Sequence, residues 1–186
     1  MLVYRVFPHH PGAGLGEPGH PLYEHRPQRG GRVDDPDRYV WYLARHPEGA
    51  VGEVFGNLAT WDPSMFAFPL IPGARRALGV YRLPDDLRIL DLDDPAQLTA
   101  LGLRPTQVVA RNPAVTQAWG RRIHDEPDPA TPGQPRWQAV QWWSYHHPTW
   151  PILASWTTPP LSEIQPLDLT HPAVHEAATA LPRHLP

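Results

Sequence analysis

Short runs of apolar residues, separated by segments rich in proline and glycine, are the main pattern along this chain. Runs of β-branched, aromatic and aliphatic residues predict strands at 2–7, 39–44, 80–83, 87–92, 139–143, 152–156 and 164–169. Helices are predicted to start at Pro47, Pro95, Pro113 and Pro172, because the missing N–H of proline costs nothing at the first helical position. Strands and helices are mixed without a strict βαβ rhythm, which favours an α+β or mixed α/β fold.

The chain is also unusually rich in loops for its size. It contains 26 prolines in 186 residues, against a usual frequency of ~5%. The segment 8–31 is dense in Gly, Pro and His and is predicted to be a long loop, either disordered or functional. We expect a single domain over residues 1–186, with 157–186 as a C-terminal extension packed on it.

Two residue types are absent, and each absence excludes a class of chemistry. Without Cys, a thiol nucleophile, a disulfide or a cysteine-ligated metal centre is impossible. All 16 basic residues are Arg, so a P-loop lysine and a lysine Schiff base are excluded as well. The net charge of −3 argues against general nucleic-acid binding. No apolar run is long enough for a membrane span and no secretion leader is recognisable, so we expect a cytoplasmic protein.

Several motifs match a function on paper but are better explained otherwise. Gly14–Gly19 fits the dinucleotide fingerprint, yet Pro18 and Pro21 prevent the helix that this fingerprint requires. The pairs His9-His10 and His146-His147 are adjacent in sequence, so their side chains are expected to diverge, and no metal site is predicted. Five Trp between 137 and 156 predict a core of large rings, of which one or two could form the wall of an aromatic slot.

The most informative stretch runs from Gly30-Gly31-Arg32 through Tyr42 to Glu53. It places an Arg after a flexible glycine pair, a Tyr on a predicted strand and a Glu on a predicted helix. From spacing alone, an ion pair and a core tyrosine are a better explanation than a functional site, because single Arg, Tyr and Glu residues are common.

An ordered series of motifs resembles the RES-domain family over residues 3–156. The matching segments are Val3-Tyr4-Arg5-Val6, Gly30-Gly31-Arg32, Tyr42-Leu43-Ala44 with Ala50 and Glu53, 87–92, 98–103, 116–119 and Ala139-Val140-Gln141-Trp142-Trp143-Ser144. The sequence departs from the family at Val6 and Val33. It departs again after Ser144, where Tyr-His-His-Pro-Thr replaces the common arginine and glycine pair.

The resemblance implies an ADP-ribosyltransferase-like split β-sheet core with peripheral helices, and an activity on NAD as substrate. It implies a toxin that cleaves the nicotinamide–ribose bond by phosphorolysis or hydrolysis and is neutralised by a helix-turn-helix (Xre-type) antitoxin. A mono-ADP-ribosyltransferase and a non-catalytic interaction domain remain the alternatives. The acceptor stays open, and a homo-oligomer is possible.

The resemblance also assigns roles to five residues. Glu53 is expected to stabilise the oxocarbenium character that develops on the ribose. Tyr42 is expected to stack on the nicotinamide ring, and Ser144 to hydrogen-bond the ribose or the amide. Arg5 and Arg32 are expected to hold the pyrophosphate, since a guanidinium can bind phosphate oxygens bidentately. No metal is required, because the leaving nicotinamide already carries the charge.

Overall fold

The computed structural model describes all 186 residues and confirms the α+β fold. Its strands are β1 (Leu2–His9), β2 (Trp41–Ala44), β3 (Arg75–Arg82), β4 (Ile89–Asp91), β5 (Ala139–Trp143), β6 (Pro151–Ser155) and β7 (Leu161–Pro166). Its helices are α1 (Pro47–Phe55), α2 (Pro95–Leu101), α3 (Pro105–Val108), α4 (Pro113–His124) and α5 (Pro172–Ala180). A single 3-10 turn covers Pro63–Phe66. No helix has both the length and the apolar character needed to cross a membrane.

All seven strands join one sheet in the order β4-β5-β6-β2-β1-β3-β7. Only β4 and β5 run parallel. The pairing is uneven: β1 pairs with β3 along eight positions but with β2 only at Tyr4↔Ala44. The sheet therefore has two halves that hardly pair with each other where β1 meets β2. This is how the split core implied by the resemblance is built here.

Two buried clusters cover the two faces of the sheet. The larger one includes Val6 and Ala44 from the strands and Val51 and Phe55 from α1. The smaller one includes Val3, Trp41 and Tyr81. Because successive side chains of a strand point to opposite faces, β1 and β2 each contribute to both clusters.

Helix starts agree well with the sequence, whereas several strand ends differ. Asp94 and Asn112 cap α2 and α4 by accepting hydrogen bonds from the backbone two residues on, and Gly102 ends α2 in the left-handed region at φ 64°. β1 continues through Pro8 to His9, because only β3 pairs with that end of the strand. The short helix α3 is missing from the prediction.

The C-terminal segment is tied to the rest of the molecule by pairing and by side-chain contacts. β7 forms an edge of the sheet by pairing with β3, and α5 packs against α1. Arg183 Nη2 donates a hydrogen bond of 2.8 Å to the Gly56 carbonyl, just beyond the end of α1. Residues 157–186 thus support the helix that carries Glu53.

Candidate active site

A cavity of about 310 Å³ opens where β1 and β2 separate. Tyr4, Arg5 and Val6 come from β1, and Tyr42, Leu43 and Ala44 from β2. The remaining lining residues come from the glycine-arginine segment, from α1, from β5 and the residues just after it, and from β6. They are Gly31, Arg32, Ala50, Glu53, Val54, Trp142, Tyr145 and Ile152. Arg32, Tyr42 and Glu53, which are distant in sequence, therefore share one cavity.

Glu53 carries the only carboxylate that lines this cavity, and a buried serine holds it. Ser144, which is 3% exposed, donates a hydrogen bond of 2.5 Å from its hydroxyl to Glu53 Oε1. The Ser144 oxygen in turn accepts from the His146 backbone N–H at 2.9 Å. Glu53 itself is exposed, so its carboxylate is oriented by Ser144 while it remains open to solvent and to a ligand.

The glycine directly before Glu53 allows α1 to lie close to Trp150. A Cβ at Gly52 would overlap the six-membered ring of the Trp150 indole. At Gly49, one turn earlier, the nearest atom to a Cβ is Trp150 Cβ, at an ordinary 3.4 Å. Gly52 is thus the position at which the helix needs to lack a side chain.

Arg32 is half-buried, and one of its guanidinium nitrogens already binds backbone carbonyls of the chain. Its Nη1 donates to the carbonyls of Val108 at 2.7 Å and Ala110 at 2.8 Å, which fixes the chain after α3. Its guanidinium carbon lies 6.0 Å from the centre of the Trp142 ring. Burial lowers the pKa of Arg32, and the negative charge of Glu53 opposes that effect. The nitrogens other than Nη1 are the ones that can receive an anion.

Tyr42 presents its ring to the cavity while its hydroxyl is bound behind it. The hydroxyl donates to Asp34 Oδ1 at 2.7 Å and accepts from the Val33 backbone N–H at 2.9 Å. Asp34 also accepts from the Gly31 backbone N–H at 2.5 Å. Burial, followed by the nearby Asp34 charge, raises the pKa of Tyr42 well above its usual value. The ring is therefore fixed, neutral and available for stacking.

Arg5, for which binding of the pyrophosphate beside Arg32 stays a prediction, contacts two aromatic residues. It lines the cavity, but its guanidinium carbon lies 5.1 Å from the centre of the Trp41 ring, and its Nη2 is 3.4 Å from the Tyr39 hydroxyl. Trp41 and Tyr39 belong to the smaller buried cluster, on the face of the sheet opposite α1. Strand alternation is the reason, since Tyr4 and Val6 occupy the face on which Glu53 lies.

Three residues of the site were not singled out from the sequence. Asp34 holds Tyr42, and nothing in its sequence context distinguishes it from the adjacent Asp35. Tyr145 lies at the rim, 56% exposed, with the Arg111 guanidinium carbon 4.4 Å from its ring centre. Because Tyr145 directly follows Ser144, its sequence position was an indication that it belongs to the site. The sequence around Arg111 contains no such indication. Trp142, one of the clustered tryptophans, lines the cavity.

Fold and site together define an α+β domain whose split sheet opens on an aromatic cavity lined by one carboxylate, that of Glu53, and by the two arginines Arg5 and Arg32. No three His, Asp or Glu side chains are grouped so that they could hold a metal ion. The family model of the RES domain matches residues 2–177, and the chain belongs to that family. The match includes β7 and most of α5, beyond the end of the resemblance at residue 156.

A solved structure provides a similar fold. The crystal structure of the M. tuberculosis MbcT-MbcA toxin-antitoxin complex contains a chain that is 21% identical, with a TM-score of 0.61. The similarity covers 96% of the present chain and 88% of that chain. Comparison with curated proteins finds none that matches.

Proposed function

We propose that this chain is a RES-type toxin that consumes NAD by cleaving the bond between nicotinamide and ribose. The observation that carries this proposal is the position of Glu53, held by Ser144 at a cavity that also contains Arg32 and the ring of Tyr42. Membership of the RES family and a fold similar to a chain of a toxin-antitoxin complex support it.

The reaction needs a group that stabilises positive charge on the sugar. When the bond between ribose C1′ and the nicotinamide nitrogen breaks, its electron pair stays on nicotinamide, which leaves as a neutral ring. The ribose acquires oxocarbenium character, and the oxygen of water or phosphate then forms the new bond to C1′; an attacking water releases its proton to solvent. The Glu53 carboxylate would stabilise this charge, which exists only in the transition state.

The neighbouring residues would bind the substrate and orient Glu53. The fixed ring of Tyr42 would stack on nicotinamide, since its hydroxyl is already bound to Asp34. The nitrogens of Arg32 other than Nη1 would bind a phosphate oxygen. Because the Ser144 hydrogen goes to Glu53, we assign Ser144 to orienting that carboxylate rather than to the ribose or amide of NAD.

The toxin role requires a partner that silences the activity. We propose a helix-turn-helix (Xre-type) antitoxin that covers the opening beside Glu53 and Tyr145, both of which are exposed. The substrate and this partner are consistent with a cytoplasmic setting. Co-purification with the product of the adjacent gene tests the partner, and restored NAD consumption after its removal tests the blocking.

The decisive experiment compares Glu53→Gln with Glu48→Gln, which changes the same residue type on the same helix but outside the cavity. NAD loss is followed with purified protein, with and without phosphate, and folding is checked by circular dichroism. We expect Glu53→Gln to lose about 10²–10³-fold in rate, as removal of a preorganised electrostatic group does, and Glu48→Gln to behave as wild type.

Other results of this experiment would refute the catalytic assignment or favour one of the alternative functions. Equal rates for the two variants would refute the catalytic assignment. NAD consumption only with a protein acceptor present, with the label transferred to that protein, would favour a mono-ADP-ribosyltransferase. A wild-type protein that consumes no NAD under any of these conditions would favour a non-catalytic interaction domain.

A further inference from the structure

A second cavity, of about 490 Å³, lies under the loop that follows β1. Its lining comes from the end of β1, from the loop around Tyr23, and from the segment that leads into β3. The lining residues are Arg5, Phe7, Pro8, Pro18, Gly19, His20, Pro21, Tyr23, His25, Phe68, Leu70, Ile71 and Arg76. No Asp or Glu is among them, so the charge of this lining is positive. Its volume is typical of a site for a small molecule.

Both arginines of this cavity lack an acidic partner. Neither Arg5 nor Arg76 forms an ion pair with any carboxylate of the chain. Arg76 Nε is buried and has no hydrogen-bond partner. Burial alone lowers the pKa of Arg76, which means that no nearby carboxylate offsets its desolvation. Burying a cation without a partner is costly, and an anion in the cavity would remove that cost.

Aromatic rings and a histidine complete the lining. The Arg76 guanidinium carbon lies 4.8 Å from the centre of the Phe68 ring, and Phe7 is 3% exposed. His20 Nδ1 accepts a hydrogen bond from the Leu22 backbone N–H at 3.1 Å. In the neutral imidazole the proton is therefore on Nε2, which makes that nitrogen a donor. Such a lining suits a ligand with a flat apolar body and one anionic head group.

This cavity is separate from the candidate active site, although Arg5 touches both. Arg5 and Phe7 alternate with Tyr4 and Val6 along β1, so the two pairs of side chains point to opposite faces of the sheet. Glu53 lies over the face of Tyr4 and Val6. A ligand bound between Arg5 and Arg76 would therefore not reach the Glu53 carboxylate.

We propose that the cavity between Arg5 and Arg76 is a binding site for a small organic anion that carries an aromatic ring and a phosphate or carboxylate head group. The guanidinium groups would bind the head group, and Phe7 and Phe68 would contact the ring. This proposal does not depend on the chemistry assigned to Glu53.

The test uses 1-naphthyl phosphate and 1-naphthoate, two probes that distinguish a phosphate from a carboxylate head group. Inorganic phosphate and 1-naphthol each supply one half of the ligand and are expected to bind more weakly than the complete probe. Affinities are measured by titration calorimetry for wild type, Arg76→Gln and Arg75→Gln. Arg75 is the exposed neighbour on β3 and does not line the cavity, so its variant is a matched control.

We expect Arg76→Gln to weaken probe binding about tenfold or more, as loss of a charge-assisted contact does, while Arg75→Gln changes little. The rate of NAD consumption should be the same in both variants. Phe68→Ala, which is expected to weaken both aromatic probes but not inorganic phosphate, replaces Arg76→Gln if that variant does not fold.

Three results would overturn the proposal. The first is equal probe affinity for the Arg76 and Arg75 variants, and the second is no probe binding to wild type at millimolar concentration. The third is competition between NAD and the probe in the Glu53→Gln protein, because the cavity would then be a distal part of the site beside Glu53.

Discussion

Ser144→Ala removes a single hydroxyl and tests whether the orientation of Glu53 matters. A hydrogen bond to a charged group contributes about 1.5–3 kcal/mol. If this contribution is needed in the transition state, its loss lowers kcat by about 10- to 150-fold, since about 1.4 kcal/mol corresponds to a factor of ten. Because Glu53 is exposed to water, we expect the lower end of that range, about tenfold. KM for NAD should stay nearly unchanged, since Ser144 does not line the cavity.

Ser155→Ala is a matched control for this variant. Ser155 is 0% exposed and accepts from the Thr157 backbone N–H at 3.1 Å, just as Ser144 accepts from His146. Its hydroxyl donates to the Thr157 carbonyl and not to a carboxylate. Both variants should lose about 1 kcal/mol of unfolding free energy in urea, but only Ser144→Ala should lose kcat in the NAD assay. The same kcat for both variants would refute the positioning role.

Two further predictions concern the tyrosines. Gly31→Ala places a Cβ on the Tyr42 hydroxyl, so it should lower the free energy of unfolding by about 1–3 kcal/mol through overpacking and should weaken NAD binding. Gly30→Ala, with no atom within 4 Å of its Cβ, should change neither. Thermal unfolding measures the stability and calorimetry the binding, and equal behaviour of the two variants would contradict the prediction. Burial raises the pKa of Tyr81 to about 12, so the unfolded chain loses this proton first, near its ordinary value of about 10. The free energy of unfolding should therefore fall between about pH 10 and 12, by up to about 1.4 kcal/mol per unit for this group; Tyr81→Phe should flatten that fall in urea titrations, and an unchanged slope would contradict the assignment.

Helix starts were predictable because their causes are local. A side-chain acceptor followed by proline satisfies the first turn within a few residues, as Asp94 and Asn112 do. Strand ends depend on the partner strand instead. The end of β1 at His9 reflects pairing with Arg75, more than 60 residues away, which overrides the expected stop at Pro8.

Part of the candidate site was also accessible from the sequence. Arg32, Tyr42 and Glu53 were identified together because their order along the chain resembles a family, and the structure brings them to one cavity. Their roles stay predictions. The hydroxyl of Ser144 was assigned to the ligand, but in the structure it contacts Glu53 across 91 positions of sequence.

The sequence by itself determined the fold class, the starts of four of the five helices, the family resemblance and the exclusion of thiol and lysine chemistry, because each depends on residue type or on spacing within a short segment. Only the tertiary structure decided which face of the sheet each side chain occupies. A residue on a strand takes its face from alternation and from register with a distant partner, and neither can be read from one segment. For that reason the contact of the Arg5 guanidinium with Trp41 was not predictable, and neither was the cavity at the separation of β1 from β2.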